Sequence, residues 1–185
     1  MADNSFSPAT DIRRLFLALW PPLELSQELY ALAGKRLRGE GRRVAPENIH
    51  LTLAFLGSVD AYFRQCVEQV ASAVRAESFE LTLEELGCWP RTGILWTGPG
   101  QTPQPLSALV QQLQAGLSGC GYQPEKRPYA AHLTLARKVR RWKEMLQIGP
   151  YTWDVKQFCL VQSHTRTEGA QYEILRAWGL SLPVV

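Results

Sequence analysis

His50-Leu51-Thr52-Leu53-Ala54 recurs residue for residue as His132-Leu133-Thr134-Leu135-Ala136, and this repeat decides how the chain is read. Two of the three histidines in the chain head the two copies. Each copy also closes a similar preamble. Residues 25–37, a basic loop and Pro46-Glu47-Asn48-Ile49 precede the first. Residues 106–117, a glycine-rich turn and Arg127-Pro128-Tyr129-Ala130-Ala131 precede the second. The pattern is helix, loop and strand twice over, as an internal duplication produces.

Side chains of a strand alternate between faces, so His and Thr of each copy share one face and the leucines take the other. His50 with Thr52, and His132 with Thr134, are therefore polar pairs backed by leucines that build a core. Halves related by a pseudo-twofold axis would set the two pairs across one groove. Hydroxyls donate to phosphate oxygens and imidazoles exchange protons near neutral pH, so such a groove suits a phosphate. One neutral imidazole takes a proton from an attacking hydroxyl or water, and one protonated imidazole delivers a proton to the departing oxygen. An unperturbed imidazole pKa of about 6.5 matches that work, and the scheme requires no metal and no cofactor.

At these residues the chain resembles the two-histidine phosphoesterase superfamily, whose signature is a pair of His-x-Thr-x motifs. More narrowly it resembles the RNA 2′,3′-cyclic phosphodiesterases, also called 2′-5′ RNA ligases. Residues 14–19 (Arg-Leu-Phe-Leu-Ala-Leu) are similar to the family's opening strand, and residues 48–57 to its first motif. Residues 127–137 are similar to the second motif, with Ala130-Ala131 where many relatives carry Pro or His. Tyr172-Glu173-Ile174-Leu175 with Trp178 is similar to the closing strand. The resemblance implies an α+β, bilobal fold: two small antiparallel sheets flanked by outer helices, with a central groove carrying the paired motifs. It also implies roles. His50 is expected as proton donor and His132 as proton acceptor, while Thr52, Thr134, Arg137 and Arg127 contact substrate; Phe16 by itself reads as a core residue, and the resemblance adds a substrate contact for its ring. An offset of five from His132 sets Arg137 on the opposite face of a regular strand, so reaching the groove requires a bulge or a strand end.

Charge by itself names no partner. The 185 residues carry 20 basic and 17 acidic side chains, a net +3, with 45% hydrophobic residues. Distribution is more telling: Lys35, Arg36, Arg38, Arg42 and Arg43 precede the first motif, and Arg137, Lys138, Arg140, Arg141 and Lys143 follow the second. Two readings stand side by side: basic loops at both histidines that draw a polyanion toward the groove, or two solvated basic loops. The four cysteines show no Cys-x-x-Cys spacing and read as reduced thiols, without zinc-ligand spacing. No signal-peptide core and no run of about 20 apolar residues is present, so a cytoplasmic protein with no membrane association is expected.

Hydrophobic spacing predicts the remaining elements. Residues 1–12 read as a loose tail and 13–185 as a single bilobal phosphoesterase domain. Strands are expected at 14–20, 49–56 (ended by Gly57), 79–88, 94–97, 131–136, 151–155, 158–163 and 172–182. Helices are expected at about 21–38, 61–76 (capped by Ser58 or Asp60), 105–117 and 140–148, with 99–105 linking the halves. His164 lacks the motif spacing and reads as a surface residue, and the six tryptophans read mainly as packing residues.

The expected activity is metal-independent hydrolysis of RNA or nucleotide 2′,3′-cyclic phosphate ends to 2′-phosphates; 2′-5′ ligation would run without ATP, as the reversal of phosphodiester cleavage. Two alternatives remain: a 2′-5′ oligonucleotide phosphodiesterase, and a non-catalytic module that binds RNA ends. No ATP-binding loop, dinucleotide fingerprint or serine-hydrolase elbow is found. A groove built within one chain requires no protein partner, so a monomer is expected.

Overall fold

The computed structural model describes residues 11–125, 127–142, 144–166 and 169–182, with no side-chain description at 166 and 169. The expected tail falls almost wholly outside the described residues, as does Lys143. The elements run in the order β1 (Arg13–Leu19), α1 (Leu23–Leu37), β2 (Arg42–Arg43), a 3-10 turn (Pro46–Asn48), β3 (Leu51–Val59), α2 (Ala61–Ala73), β4 (Phe79–Trp89) and β5 (Ile94–Gly98). They continue with α3 (Gln104–Ser118), β6 (Leu133–Arg137), β7 (Leu146–Val155), β8 (Gln157–Arg166) and β9 (Gly169–Gly179).

The sheet order is β7-β4-β5-β6-β3-β1-β8-β9, with β2 laid on β6. All these pairings are antiparallel. Read outward from the centre, β3-β1-β8-β9 mirrors β6-β5-β4-β7, which is the pseudo-twofold arrangement. β3 and β6, the central strands of the two halves, pair through Leu51 with Leu133, so the expected two sheets are hydrogen-bonded into a single one.

The motif leucines do what their alternation predicts. Leu51, Leu53, Leu133 and Leu135 are buried in the same core as α1 (Leu25, Leu29, Ala33, Leu37) and α3 (Leu106, Leu109, Leu113, Leu117). Helical spacing of those apolar residues makes one stripe per helix. Each helix packs across the middle of the molecule: α1 touches β6 and α3 touches β3. Burying each leucine stabilises the fold by about 1.5–3 kcal/mol, so the motif strands are anchored from the face opposite their histidines. Helix α2 is capped as expected, the Phe63 amide donating to the Asp60 carboxylate at 2.8 Å.

Four expectations about the elements are corrected. Gly57 does not end the first motif strand; β3 runs on to Val59 through Gly57 at φ 77, beside a register shift against β1. Glycine there accommodates a bulge rather than a stop. The expected helix at 140–148 is absent among the described residues, and β7 starts at Leu146. Glu40 captures the Arg140 and Arg141 amides, and the following strand lies at the sheet edge, where Pro150 is tolerated. Residues 99–105 do not link the lobes but lead from β5 into α3. The lobes are also discontinuous in sequence, because β8 and β9 return to the sheet half of β1 and β3.

A fourth correction concerns the cysteines. Cys66 on α2 and Cys120 beyond α3 form a disulfide with Cα atoms 5.9 Å apart, while Cys88 and Cys159 are free thiols. The two halves of the bridge are 54 residues apart, and only the packing of α2 on α3 brings them together. Among the described residues no helix is long and apolar enough to cross a membrane.

Candidate active site

His50 and His132 each stand one residue before a motif strand, and the Leu51–Leu133 pairing sets them side by side at the centre of the sheet. Both histidines and both motif threonines line one cavity of about 400 Å³. Arg42, Arg43, Arg137, Asn48 and Tyr172 line it too, and among the described residues no carboxylate does. Strand β2 places Arg42 directly opposite Arg137.

The two imidazoles are held in the same way. Nδ1 of His50 donates to the Asn48 carbonyl at 2.8 Å, and Nδ1 of His132 donates to the Ala130 carbonyl at 2.8 Å. A carbonyl only accepts, so each Nδ1 carries a hydrogen and each Nε2 is the nitrogen that exchanges protons. Aromatic rings fix the ring planes. His50 stacks on Trp20 (centroids 5.1 Å, interplanar 11°) and meets Phe16 at 4.8 Å and Tyr172 at 5.0 Å. The edge of Trp89 meets His132 at 4.6 Å.

Enclosure lowers the basicity of both histidines. Burial pulls His50 down from 6.5 to about 4, against the opposing effect of its Asn48 hydrogen bond and with help from Arg137 and His132. His132 is also lowered, again first by burial and then by the Arg137 charge, with the Ala130 hydrogen bond opposing. Both rings are thus neutral in the empty cavity at neutral pH, and a bound anion is what favours protonation.

Arg137 reaches the cavity because β6 bulges. Against β5 the register passes from Trp96 with Thr134 to Leu95 with Ala136, leaving Leu135 as the extra residue. Two consecutive buried residues, Leu135 and Ala136, follow Thr134, and Arg137 then lands on the histidine face. β3 carries the same device: Thr52 pairs with Ala18 and Ala54 with Leu17, so Leu53 is extra and Phe55 emerges on the open side.

Two other expected contacts lie elsewhere. Phe16 is only 4% exposed and does not line the cavity; its ring supports His50. Arg127 lines a neighbouring groove instead and sits 3.9 Å from Glu125. His164, at the surface, pairs with Glu173 at 3.0 Å. Sequence reasoning did not single out Trp20, Trp89 and Asn48 as neighbours of the histidines. Nor did it foresee Tyr129, whose hydroxyl donates to the Thr52 carbonyl at 3.1 Å and ties the two motifs together. The only trace of these in the sequence was their place beside the motifs or at strand ends. No group of three or more His, Cys, Asp or Glu able to hold a metal ion occurs among the described residues.

The chain is thus an α+β protein with a mostly antiparallel sheet and two matched histidine–threonine strands at its centre. The chain belongs to the 2′-5′ RNA ligase superfamily, whose family model matches residues 21–167. It is 35% identical to an RNA 2′,3′-cyclic phosphodiesterase of Escherichia coli (strain K12) over 176 residues, 91% of this chain and 97% of that protein. It is 28% identical to an RNA 2′,3′-cyclic phosphodiesterase of Aeropyrum pernix over 146 residues, 72% of this chain and 83% of that one. Among solved structures, E. coli LigT complexed with 3′-AMP superposes with a TM-score of 0.86 at 31% identity, covering 92% of this chain and 99% of LigT.

Proposed function

We propose that this protein opens 2′,3′-cyclic phosphates at RNA or nucleotide ends to 2′-phosphomonoesters, using its two histidines as acid and base and no metal. The observation that carries the reading is the matched pair of Nδ1-anchored imidazoles in one cavity with Arg42 and Arg137 and, among the described residues, no carboxylate. Relatives named for this activity over most of their length support the substrate.

In the reaction, Nε2 of neutral His132 accepts a proton from water as the water oxygen bonds to phosphorus. Nε2 of protonated His50 gives its proton to the 3′ oxygen as the P–O3′ bond breaks. Thr52 and Thr134 donate to the non-bridging oxygens, and Arg137, with Arg42 at the rim, balances the growing charge, while the Arg43 guanidinium lies over the Tyr30 ring of α1 at 3.9 Å. Loading of His50 follows from substrate binding, since the incoming phosphate raises a pKa that burial had lowered. One chain supplies both motifs, so the reaction needs no second subunit.

The test is an RNA oligomer ending in a 2′,3′-cyclic phosphate, incubated with excess chelator, its products resolved as 2′- or 3′-phosphate. Wild type should yield the 2′-phosphate. His50→Ala and His132→Ala should each lose about a thousandfold in rate or more while folding normally. Turnover retained in both variants, or abolished by chelator, overturns the mechanism.

A further inference from the structure

A second groove of about 660 Å³ adjoins the catalytic cavity and shares Thr52, Ile94 and His132 with it, but not His50. We infer that this groove seats the nucleoside carrying a 5′-hydroxyl, the group that takes the place of water in making a 2′-5′ phosphodiester and departs when one is cleaved. The inference rests on the acid and base roles given above. In-line displacement puts the entering oxygen opposite the departing O3′, hence on the side of His132 and away from His50. The second groove opens on that side.

Its lining suits a nucleoside better than water. Phe55, Trp89 and Tyr129 supply aromatic surface, and Arg91 and Arg127 stand with one carboxylate among the described residues, Glu125. Phe55 is 44% exposed, a costly placement for a phenylalanine, and the Arg14 guanidinium lies 4.9 Å above its ring. Aromatic faces next to guanidinium groups are a platform for bases of single-stranded nucleic acid.

Broken symmetry marks the two sides. The bulges after Thr52 and Thr134 are equivalent, so Phe55 occupies in one motif the place of Arg137 in the other. The cation faces the cavity where the phosphate sits, while the ring faces the adjoining groove. The same fold position thus recognises charge on one side and a π-surface on the other.

The chemistry balances without a further reactant. In joining, the 5′ oxygen bonds to phosphorus and its proton passes to Nε2 of His132, while the P–O3′ bond breaks and O3′ takes a proton from His50. In cleavage, neutral His50 takes the proton from O3′, O3′ bonds to phosphorus, and protonated His132 supplies the departing 5′ oxygen.

The experiment compares two substrates, adenosine 2′,3′-cyclic phosphate and the 2′-5′-linked adenylyl dinucleotide, with wild type, Phe55→Ala and Arg91→Ala. Wild type should turn over both, releasing adenosine from the dinucleotide. Each variant should keep cyclic phosphate hydrolysis within about twofold, yet lose about tenfold in kcat/KM on the dinucleotide, the effect of removing one stacking or cationic partner. Equal losses on both substrates, or no loss on the dinucleotide, overturn the inference. So does a wild type that hydrolyses the cyclic phosphate but leaves the dinucleotide intact. Failure on the cyclic phosphate itself would instead remove the hydrolytic reading on which this one stands.

Discussion

Leu51 and Leu133 are partners across the centre of the sheet, joining β3 to β6 by a single residue pair. Each follows a catalytic-candidate histidine directly, so one backbone pairing between two buried leucines sets the separation of the two imidazoles. The positioning comes from strand register rather than from loops. Register is hard to shift here, because a slip by one residue would send Leu51 and Leu53 to the open face and Thr52 into the core.

Activity should depend on pH as two lowered histidines require. Burial places both free-protein pKa values below 6.5, with His50 at about 4. The profile of kcat/KM, which reports the free protein, should be a bell with its maximum on the acidic side of 6.5. The profile of kcat should peak at higher pH, because bound phosphate raises both values. A single-limbed profile, or a kcat/KM maximum above pH 7.5, would argue against the paired-imidazole scheme.

Stability should show the same histidine from another side. Above pH 6.5 neither folded nor unfolded His50 holds a proton, so it exerts no pH effect. Between 6.5 and about 4 the unfolded chain takes up a proton that the folded site refuses, and stability falls as pH falls. The loss amounts to about 3 kcal/mol by pH 4. Urea unfolding of wild type and His50→Gln at pH 7 and pH 4.5 reads this directly. The variant should lose less stability on acidification, and parallel losses would show His50 to be freely protonated in the fold.

Arg137→Ala should lower kcat/KM by about a hundredfold, as loss of one preorganised charge donor does. Arg137→Lys should restore only part, since an ammonium lacks the planar fork that grips two phosphate oxygens. Inorganic phosphate should bind more weakly to Arg137→Ala by calorimetry. Unchanged phosphate affinity would place the anion elsewhere in the cavity.

Breaking the Cys66–Cys120 bridge should destabilise the fold without disabling the site. Cys66→Ser should cost about 2–4 kcal/mol in chemical unfolding, because the bridge restrains a long loop of the unfolded chain. Neither cysteine lines the catalytic cavity, so activity at 25 °C should remain within about twofold. A Cys66→Ser variant as stable as the oxidised wild type would mean the bridge contributes nothing.

Much of this architecture follows from local pattern. Alternation within His-Leu-Thr-Leu-Ala dictates which side chains enter the core, and the leucine spacing of α1 and α3 dictates which helical stripe covers them. Both are short-range rules acting on consecutive residues, so the sequence by itself determined the α+β class, the duplicated strands and the histidine–threonine pairs. Tertiary structure decided the rest. The bulges at Leu53 and Leu135 depend on the partner strand's register, so nothing in the motif announces that Arg137 and Phe55 turn toward the groove. The return of β8 and β9 to the first half, the rings around His50 and the Cys66–Cys120 pair all join residues far apart in the chain. Such contacts are selected by packing of the whole sheet and its helices, and no window of sequence contains both partners.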